Sequence, residues 1–89
     1  MSNLYLVDRP FAATALEFAA EDANSLVVLL QDGVYADASK LEAAGHAVYA
    51  IARDAQRRGL AARLSPAIHQ IGFDQLVDLI VANKVINFA

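Results

Sequence analysis

The residues of this 89-residue chain that could carry chemistry are a turn aspartate, two histidines, three serines and a group of arginines. Asp32 comes shortly after the unbroken apolar run 26–30 and is followed by Gly33. Such a run is typical of a parallel strand buried on both faces, and parallel sheets bind ligands beyond the carboxyl ends of their strands. Asp32 could therefore orient a bound group, although an Asp-Gly pair also serves simply as a tight turn.

The histidines and serines do not have the spacing of a catalytic or metal site. His46 and His69 lie far apart, and the chain has no cysteine that could complete a zinc site with them. Each is interpreted as a surface or hydrogen-bonded side chain, or as a contact across a subunit interface. Ser25, Ser39 and Ser65 do not stand in the G-x-S-x-G pattern of a serine hydrolase. We therefore assign no catalytic, cofactor-binding or metal-binding residue from the sequence.

Positive charge is concentrated in one part of the chain, where the arginines are Arg53, Arg57, Arg58 and Arg63. This group could contact tRNA or an acidic partner surface, or it could be a solvated helix end. The chain has neither a G-x-G-x-x-G segment nor a P-loop lysine, so no motif supports nucleotide binding. Its net charge of -3 lacks the electrostatic footprint of an autonomous nucleic-acid-binding domain.

Apolar residues are unusually abundant for so short a chain. They make up 57% of the residues, against about 45–50% in ordinary globular domains. A chain of this length is expected to form one domain, 1–89, which is too small to bury all of them. The surplus indicates contact with other subunits, and the protein is not expected to function as a monomer. Tyr35 and Tyr49 would suit an interface, and equally core or edge packing.

The amino terminus, Met1-Ser2-Asn3, has no basic region and no long apolar core, so we expect no signal peptide. The longest apolar run is far below the ~20 residues that span a bilayer. The absence of cysteine also excludes disulfide bonds. We expect a cytoplasmic protein that does not contact membranes.

Strands and helices are predicted to alternate along the chain, which favours an α/β fold with a mostly parallel sheet of four or five strands. Asp8 is expected to cap the first helix and Pro10 to lie in its first turn. The last helix has an amphipathic pattern in Phe73, Leu76, Val77 and Ile80. The predicted strands are residues 4–7, 26–30, 47–52, 60–64 and 85–88. The predicted helices are residues 10–22, 37–45, 53–58 and 73–82, with 65–68 as a connector.

Four segments, in order, carry a resemblance to a known family. The first has a Pro10-Phe11 loop and a helix with Leu16-Glu17. The others are LLQDGVYA at 29–36, VYAIARDAQRRGL at 48–60 and IGFDQLVDLIVANKVINF at 71–88. Together they resemble the TusB/DsrH family of sulfur-relay subunits over nearly the whole chain. The family's final strand often closes with tryptophan, where this chain has Phe88.

The resemblance implies a small three-layer, flavodoxin-like fold and a place in a hetero-oligomer. Family members associate with homologous TusC/TusD or DsrF/DsrE subunits, typically as a heterohexamer, and the complex passes persulfide sulfur between cysteines. In the Tus branch the sulfur reaches 2-thiouridine at the tRNA wobble position. In the Dsr branch it enters dissimilatory sulfur oxidation. The isolated chain could form a homodimer, and no cofactor is implied.

One departure from the family pattern concerns the reactive residue itself. Some DsrH-type members carry a cysteine soon after the Leu-Glu of the first helix, and the matching position here is Ala19. The resemblance then implies a non-catalytic structural subunit and favours the TusB-like branch, in which this cysteine is commonly absent. The alternatives are a DsrH-like subunit of a sulfur-oxidising system and a stand-alone homo-oligomeric ligand-binding protein.

Overall fold

The computed structural model describes residues 2–89, in which five short strands form one parallel sheet. Their side chains are largely apolar, as expected where both faces of a parallel sheet are covered. The order across the sheet is β4-β3-β2-β1-β5, so the largely buried strands β1, β2 and β3 lie inside it. The prediction of a mainly parallel α/β fold with four or five strands is confirmed. The strands are β1 (Asn3–Val7), β2 (Ser25–Leu29), β3 (Ala47–Ile51), β4 (His69–Ile71) and β5 (Lys84–Phe88).

Four α-helices and a 3₁₀ turn connect these strands, and they cover the two faces of the sheet unequally. On the first face, α1, α2 and the segment 60–68 pack over side chains such as Val27 and Val48. On the second face, α4 alone packs over Leu4, Val28 and Ile51. The helices are α1 (Ala12–Glu21), α2 (Ser39–Ala43), α3 (Ala52–Arg57) and α4 (Phe73–Ala82), and the 3₁₀ turn is Gln31–Tyr35.

The fourth strand differs from the prediction. Residues 60–64 were expected to form it, but they form a turn in which the amides of Arg63 and Leu64 both donate to the carbonyl of Leu60, at 2.8 and 3.0 Å. The apolar side chains of that segment pack on the first face of the sheet. The actual fourth strand, His69–Ile71, lies at the sheet edge with two exposed polar residues. An exposed edge strand needs no apolar run, which is why its sequence gives little signal.

The start of α1 also differs from the prediction. The helix begins at Ala12, and no side chain caps it. Asp8 contributes its backbone carbonyl, which accepts a hydrogen bond from the Phe11 amide at 3.1 Å. Within residues 2–89 the Asp8 Oδ1 atom is buried without a hydrogen-bond partner. The expected side-chain cap at Asp8 and the placement of Pro10 inside the first turn are therefore wrong.

Candidate functional site

The position at which the resemblance implies a cysteine in some related proteins lies inside the core. Ala19 is fully buried on α1, between that helix and the first face of the sheet. Its carbonyl accepts a hydrogen bond from Ser25 Oγ at 2.9 Å. A methyl group offers no nucleophile, and sulfur transfer needs a thiolate that its donor can reach. Sulfur chemistry is therefore not supported at this position.

The histidines and serines take part in structural contacts. Ser25 Oγ donates its one hydrogen to the Ala19 carbonyl. The hydrogen bond of 2.8 Å between Ser25 Oγ and His46 Nδ1 therefore has the histidine nitrogen as its donor. In this arrangement the histidine cannot act as a base toward the serine. His69 lies on β4 with its ring tilted against that of Tyr49, the centroids 5.6 Å apart. Within residues 2–89 no group of three or more potential ligands is arranged to hold a metal ion.

The other two serines, Ser39 and Ser65, form hydrogen bonds with nearby carboxylates. Ser65 Oγ donates to Glu42 Oε2 at 3.1 Å, which ties the segment after α3 to α2. The Ser39 amide donates to Asp37 Oδ1 at 3.0 Å at the start of α2. The side chain of Ser39, and after it this amide, lower the pKa of Asp37 below its usual value by hydrogen bonding to the carboxylate. These contacts explain both serines as parts of local structure.

Asp32 lies beyond the carboxyl end of β2, as the sequence predicts. It is part of a tight turn, and its carboxylate forms an ion pair. The Gly33 amide donates to the Leu30 carbonyl at 2.9 Å and closes the turn. Arg58 Nε donates to Asp32 Oδ1 at 2.8 Å. This hydrogen bond raises the pKa of Arg58 above its usual value. Asp32 is thus joined to the arginine group that follows β3.

A cleft of about 630 Å³, named here the arginine cleft, opens at the carboxyl ends of three strands. Inside it, the buried carboxylate Asp54 accepts a hydrogen bond from the Gln31 amide at 2.7 Å. Three of the four arginines grouped in the sequence analysis line the cleft, whereas no ligand-binding role was predicted for Asp54, Gln31 or Phe73. Their position directly after strands was the signal available for them. Gln31 and Asp32 follow β2, Arg53, Asp54, Arg57 and Arg58 follow β3, and Phe73 follows β4.

Arg63 lies apart from that cleft. It borders a smaller hollow on the first face, formed with Leu60, Leu64 and Ser65 among others. The four arginines that the sequence groups together therefore serve two separate surfaces. Only three of them share the carboxyl edge of the sheet.

The outward side of α4 is apolar and exposed. No residue of this helix is buried, and Leu76 and Leu79 are the ones that pack against the sheet. Val77, Ile80 and Val81 are exposed by 56%, 38% and 81%. The amphipathic pattern therefore predicts the helix correctly, but most of its apolar stripe does not enter the core. We call Val77, Ile80 and Val81 the outer face of α4.

The sheet beneath α4 is also incompletely covered. Leu6, Leu26, Leu30 and Tyr49 pack around the second-face core but stay partly exposed. A parallel sheet normally has both faces covered, since its strands are apolar on both sides. The second face and the outer face of α4 therefore both expose apolar side chains. Tyr49 packs against the second-face core and stays partly exposed, which is one of the alternatives that the sequence predicts for it.

Tyr35 lies elsewhere, at the end of the 3₁₀ turn. Its ring is exposed by 47% and carries the guanidinium group of Arg9 above it, 5.0 Å from the centroid. Such a contact attracts the guanidinium group to the face of the ring. Across the described residues, 2–89, none of the helices has the length and apolar character needed to cross a membrane.

Comparison with known proteins gives one family. Residues 10–86 match the family model described as DsrH like protein. The search of curated proteins finds no match. The matched range runs from the loop before α1 into β5 and so includes every helix of the fold.

Proposed function

Because the chain belongs to the DsrH-like family of sulfur-relay subunits, we propose that it is the non-catalytic structural subunit of a TusBCD- or DsrEFH-like complex. Homologous TusC/TusD-like or DsrF/DsrE-like subunits are its partners, and a heterohexamer is the expected assembly. The complex transfers persulfide sulfur toward 2-thiolation of the tRNA wobble uridine. The subunit holds its partners in position for this transfer.

The observation that carries this proposal is the apolar second face. The outer face of α4 and the partly exposed Leu6, Leu26 and Tyr49 offer a surface that water contacts unfavourably. Exposed apolar patches of this kind mark protein–protein interfaces. A homologous α/β subunit offers helices and apolar side chains that can cover it. The proposal assigns this surface to such a subunit, and the isolated chain is expected to self-associate through it.

The chemistry of the relay assigns the reactive groups to the partners. An acceptor thiolate attacks the terminal sulfur of a donor persulfide, the sulfur–sulfur bond breaks and the donor leaves as a thiolate. The acceptor then carries the new persulfide. This chain contains no cysteine and can be neither acceptor nor donor in that step. Its contribution is to the geometry of thiols on other subunits, which governs the transfer rate.

The choice of tRNA as the final acceptor is supported by the missing cysteine, since the TusB-like branch commonly lacks it. Deleting the gene from its host should reduce the tRNA content of 2-thiouridine, measured by liquid chromatography and mass spectrometry of digested tRNA. A plasmid copy should restore the modification. Unchanged 2-thiouridine, together with slower oxidation of reduced sulfur, would instead assign the subunit to the sulfur-oxidation branch.

The interface is tested by co-expression with homologous TusC/TusD-like or DsrF/DsrE-like subunits. Size-exclusion chromatography with light scattering should show a stable hetero-oligomer for the native chain. The double variant Val77→Glu/Val81→Glu places two charges on the outer face of α4 and should abolish co-elution. Ala20→Glu, an exposed alanine on α1, is the matched control and should still assemble. A monomer that is unchanged by its partners would contradict the proposal.

A further inference from the structure

The arginine cleft lies at a distinctive point of the sheet topology. After β3 the chain passes to the first face, where Leu60 and Leu64 pack. After the neighbouring β4 it passes to the second face, where Leu76 and Leu79 pack. Open α/β sheets bind ligands beyond the carboxyl ends of their strands. The cleft lies at the carboxyl ends of β2, β3 and β4, between these two connections.

Its charges are not balanced internally. Arg58 is paired with Asp32 at 2.8 Å and lies 3.9 Å from the Asp54 carboxylate. Within residues 2–89, neither Arg53 nor Arg57 has a carboxylate partner in an ion pair. Three guanidinium groups against two carboxylates leave the cleft with a charge of plus one, although the whole chain carries -3. The cleft therefore attracts anions against the overall sign of the protein.

The two unpaired arginines are themselves in an unfavourable arrangement. Arg53 and Arg57 are four residues apart on α3, where like charges repel by about 0.2–0.5 kcal/mol. Arg53 also lies in the first turn of the helix, where positive charge is not favoured. A bound anion removes both penalties. Guanidinium groups match the oxygens of a phosphate particularly well, because they donate two parallel hydrogen bonds.

The remaining wall of the cleft is aromatic. Phe73, the first residue of α4, lines it and is half exposed. A phenylalanine ring beside arginines combines a stacking surface for a planar ring with a site for its phosphate. The volume of about 630 Å³ lies within the range of small-molecule sites. The cleft thus fits a ligand that has one phosphate and one planar ring.

We infer that the arginine cleft binds a phosphate-bearing ligand of nucleotide size, with its phosphate on Arg53 and Arg57 and its ring on Phe73. The buried Asp54 fixes the Gln31 backbone at the rim, and Asp32 holds Arg58 aside, so the cleft is formed before the ligand arrives. The phosphate is either that of a free mononucleotide or that of a nucleotide within an RNA strand.

The test is isothermal titration calorimetry on the full chain with four probes. They are uridine monophosphate, uridine, inorganic phosphate and a short oligouridylate, each at low ionic strength, where charge contacts are least screened. Uridine monophosphate should bind, and uridine, which lacks the phosphate, should bind at least about tenfold more weakly. Backbone amide shifts in nuclear magnetic resonance spectra should locate the binding at residues 31–32, 53–58 and 72–73.

Three variants separate the cleft from general electrostatics. The double variant Arg53→Gln/Arg57→Gln should weaken uridine monophosphate at least about tenfold. Phe73→Leu keeps an apolar side chain but removes the ring, and should weaken uridine monophosphate about fivefold while leaving inorganic phosphate unchanged. Arg63→Gln removes one exposed positive charge away from the cleft and is the control. The four substituted residues are all exposed, so circular dichroism should show that each variant is folded. These residues are Arg53, Arg57, Arg63 and Phe73.

The outcomes are decisive in both directions. Failure of every phosphate-bearing probe to bind would overturn the inference, as would equal losses in Arg63→Gln and the double variant. Comparable affinity for uridine monophosphate and oligouridylate identifies a free nucleotide as the ligand, whereas markedly tighter oligouridylate binding identifies an RNA strand. The Val77→Glu/Val81→Glu variant should keep its nucleotide affinity, which separates failure of this inference from failure of the subunit interface.

Discussion

Gly33 allows a close approach between two backbone segments at the carboxyl edge of the sheet, and Gly33→Ala should destabilise the fold strongly. A Cβ atom there would collide with the Val7 carbonyl oxygen and would lie 3.0 Å from the Val7 carbonyl carbon and 3.1 Å from Asp8 Cα. All three atoms belong to the backbone of β1 and its end, which cannot rotate away. The same Val7 oxygen accepts a hydrogen bond from the Leu30 amide at 3.0 Å.

The size of the effect follows from these contacts. Overpacking of a rigid site costs about 1–3 kcal/mol, and weakening the hydrogen bond at Val7 adds about 1 kcal/mol. The free energy of unfolding should therefore fall by about 2–4 kcal/mol, out of about 4–13 kcal/mol for a chain of this length. This corresponds to a decrease in Tm of about 8–30 °C. Urea and thermal unfolding followed by circular dichroism measure both quantities.

Gly72→Ala is the matched control, because no atom lies within 4 Å of a Cβ at that position. Gly72 is the N-cap of α4, where alanine is a poorer residue, so a loss below about 1 kcal/mol is expected. Equal losses in the two variants would refute the steric argument. So would a Gly33→Ala protein whose free energy of unfolding matches that of the native chain.

The remaining predictions concern packing and pH. Leu41→Ala removes a side chain that is 2% exposed in the first-face core and should lower the free energy of unfolding by about 2–5 kcal/mol in urea titrations. Val81→Ala, at an exposed position, should change the free energy of unfolding by less than about 0.5 kcal/mol in the same titrations. Asp22 accepts hydrogen bonds from Asn3 at 2.7 Å and Tyr5 at 3.0 Å, and the bond from Asn3 is the main reason that the pKa of Asp22 is lowered. A lowered folded-state pKa stabilises the protein above the unfolded value of about 3.9, and this stability is lost as the pH falls through the folded-state pKa. Urea unfolding between neutral and acidic pH should therefore show a smaller acid loss for Asp22→Asn than for the native chain, and an unchanged acid loss would contradict the role of Asp22. Burial raises the pKa of Tyr5, so the folded state should lose stability as the pH rises above about 10, and Tyr5→Phe should reduce that loss in the same titrations.

The sequence predicts the strands that carry apolar runs. It does not predict the fourth strand, whose position depends on tertiary contacts. The predicted ends of β1, β2, β3 and β5 agree with the structure within one residue, because buried parallel strands need continuous apolar side chains. β4 was missed because its His69 and Gln70 are exposed at the sheet edge. The segment 60–64 has strand-like leucines that instead pack on the first face from a turn. Local composition does not distinguish these two cases.

The same limit applies to the functional surfaces. Hydrophobic periodicity predicts α4 but cannot say which of its apolar residues meet the sheet, and only Leu76 and Leu79 do. The cluster of arginines was visible in the sequence, but its separation into the cleft and the Arg63 hollow depends on the turn after Gly59. The positive φ of 68° at that glycine redirects the chain away from α3. Phe73 joins the cleft only because β4 ends beside β3.

Sulfur uptake in a reconstituted complex tests the central claim most directly. The purified homologous subunits are incubated with a persulfide donor, with and without this chain, and intact-mass spectrometry follows each polypeptide over time. A scaffold role predicts that one sulfur atom appears on a partner cysteine, faster when this chain is present than with its Val77→Glu/Val81→Glu variant, and none on the chain itself. Equal rates without the chain, or a stable sulfur adduct on it, would contradict the account.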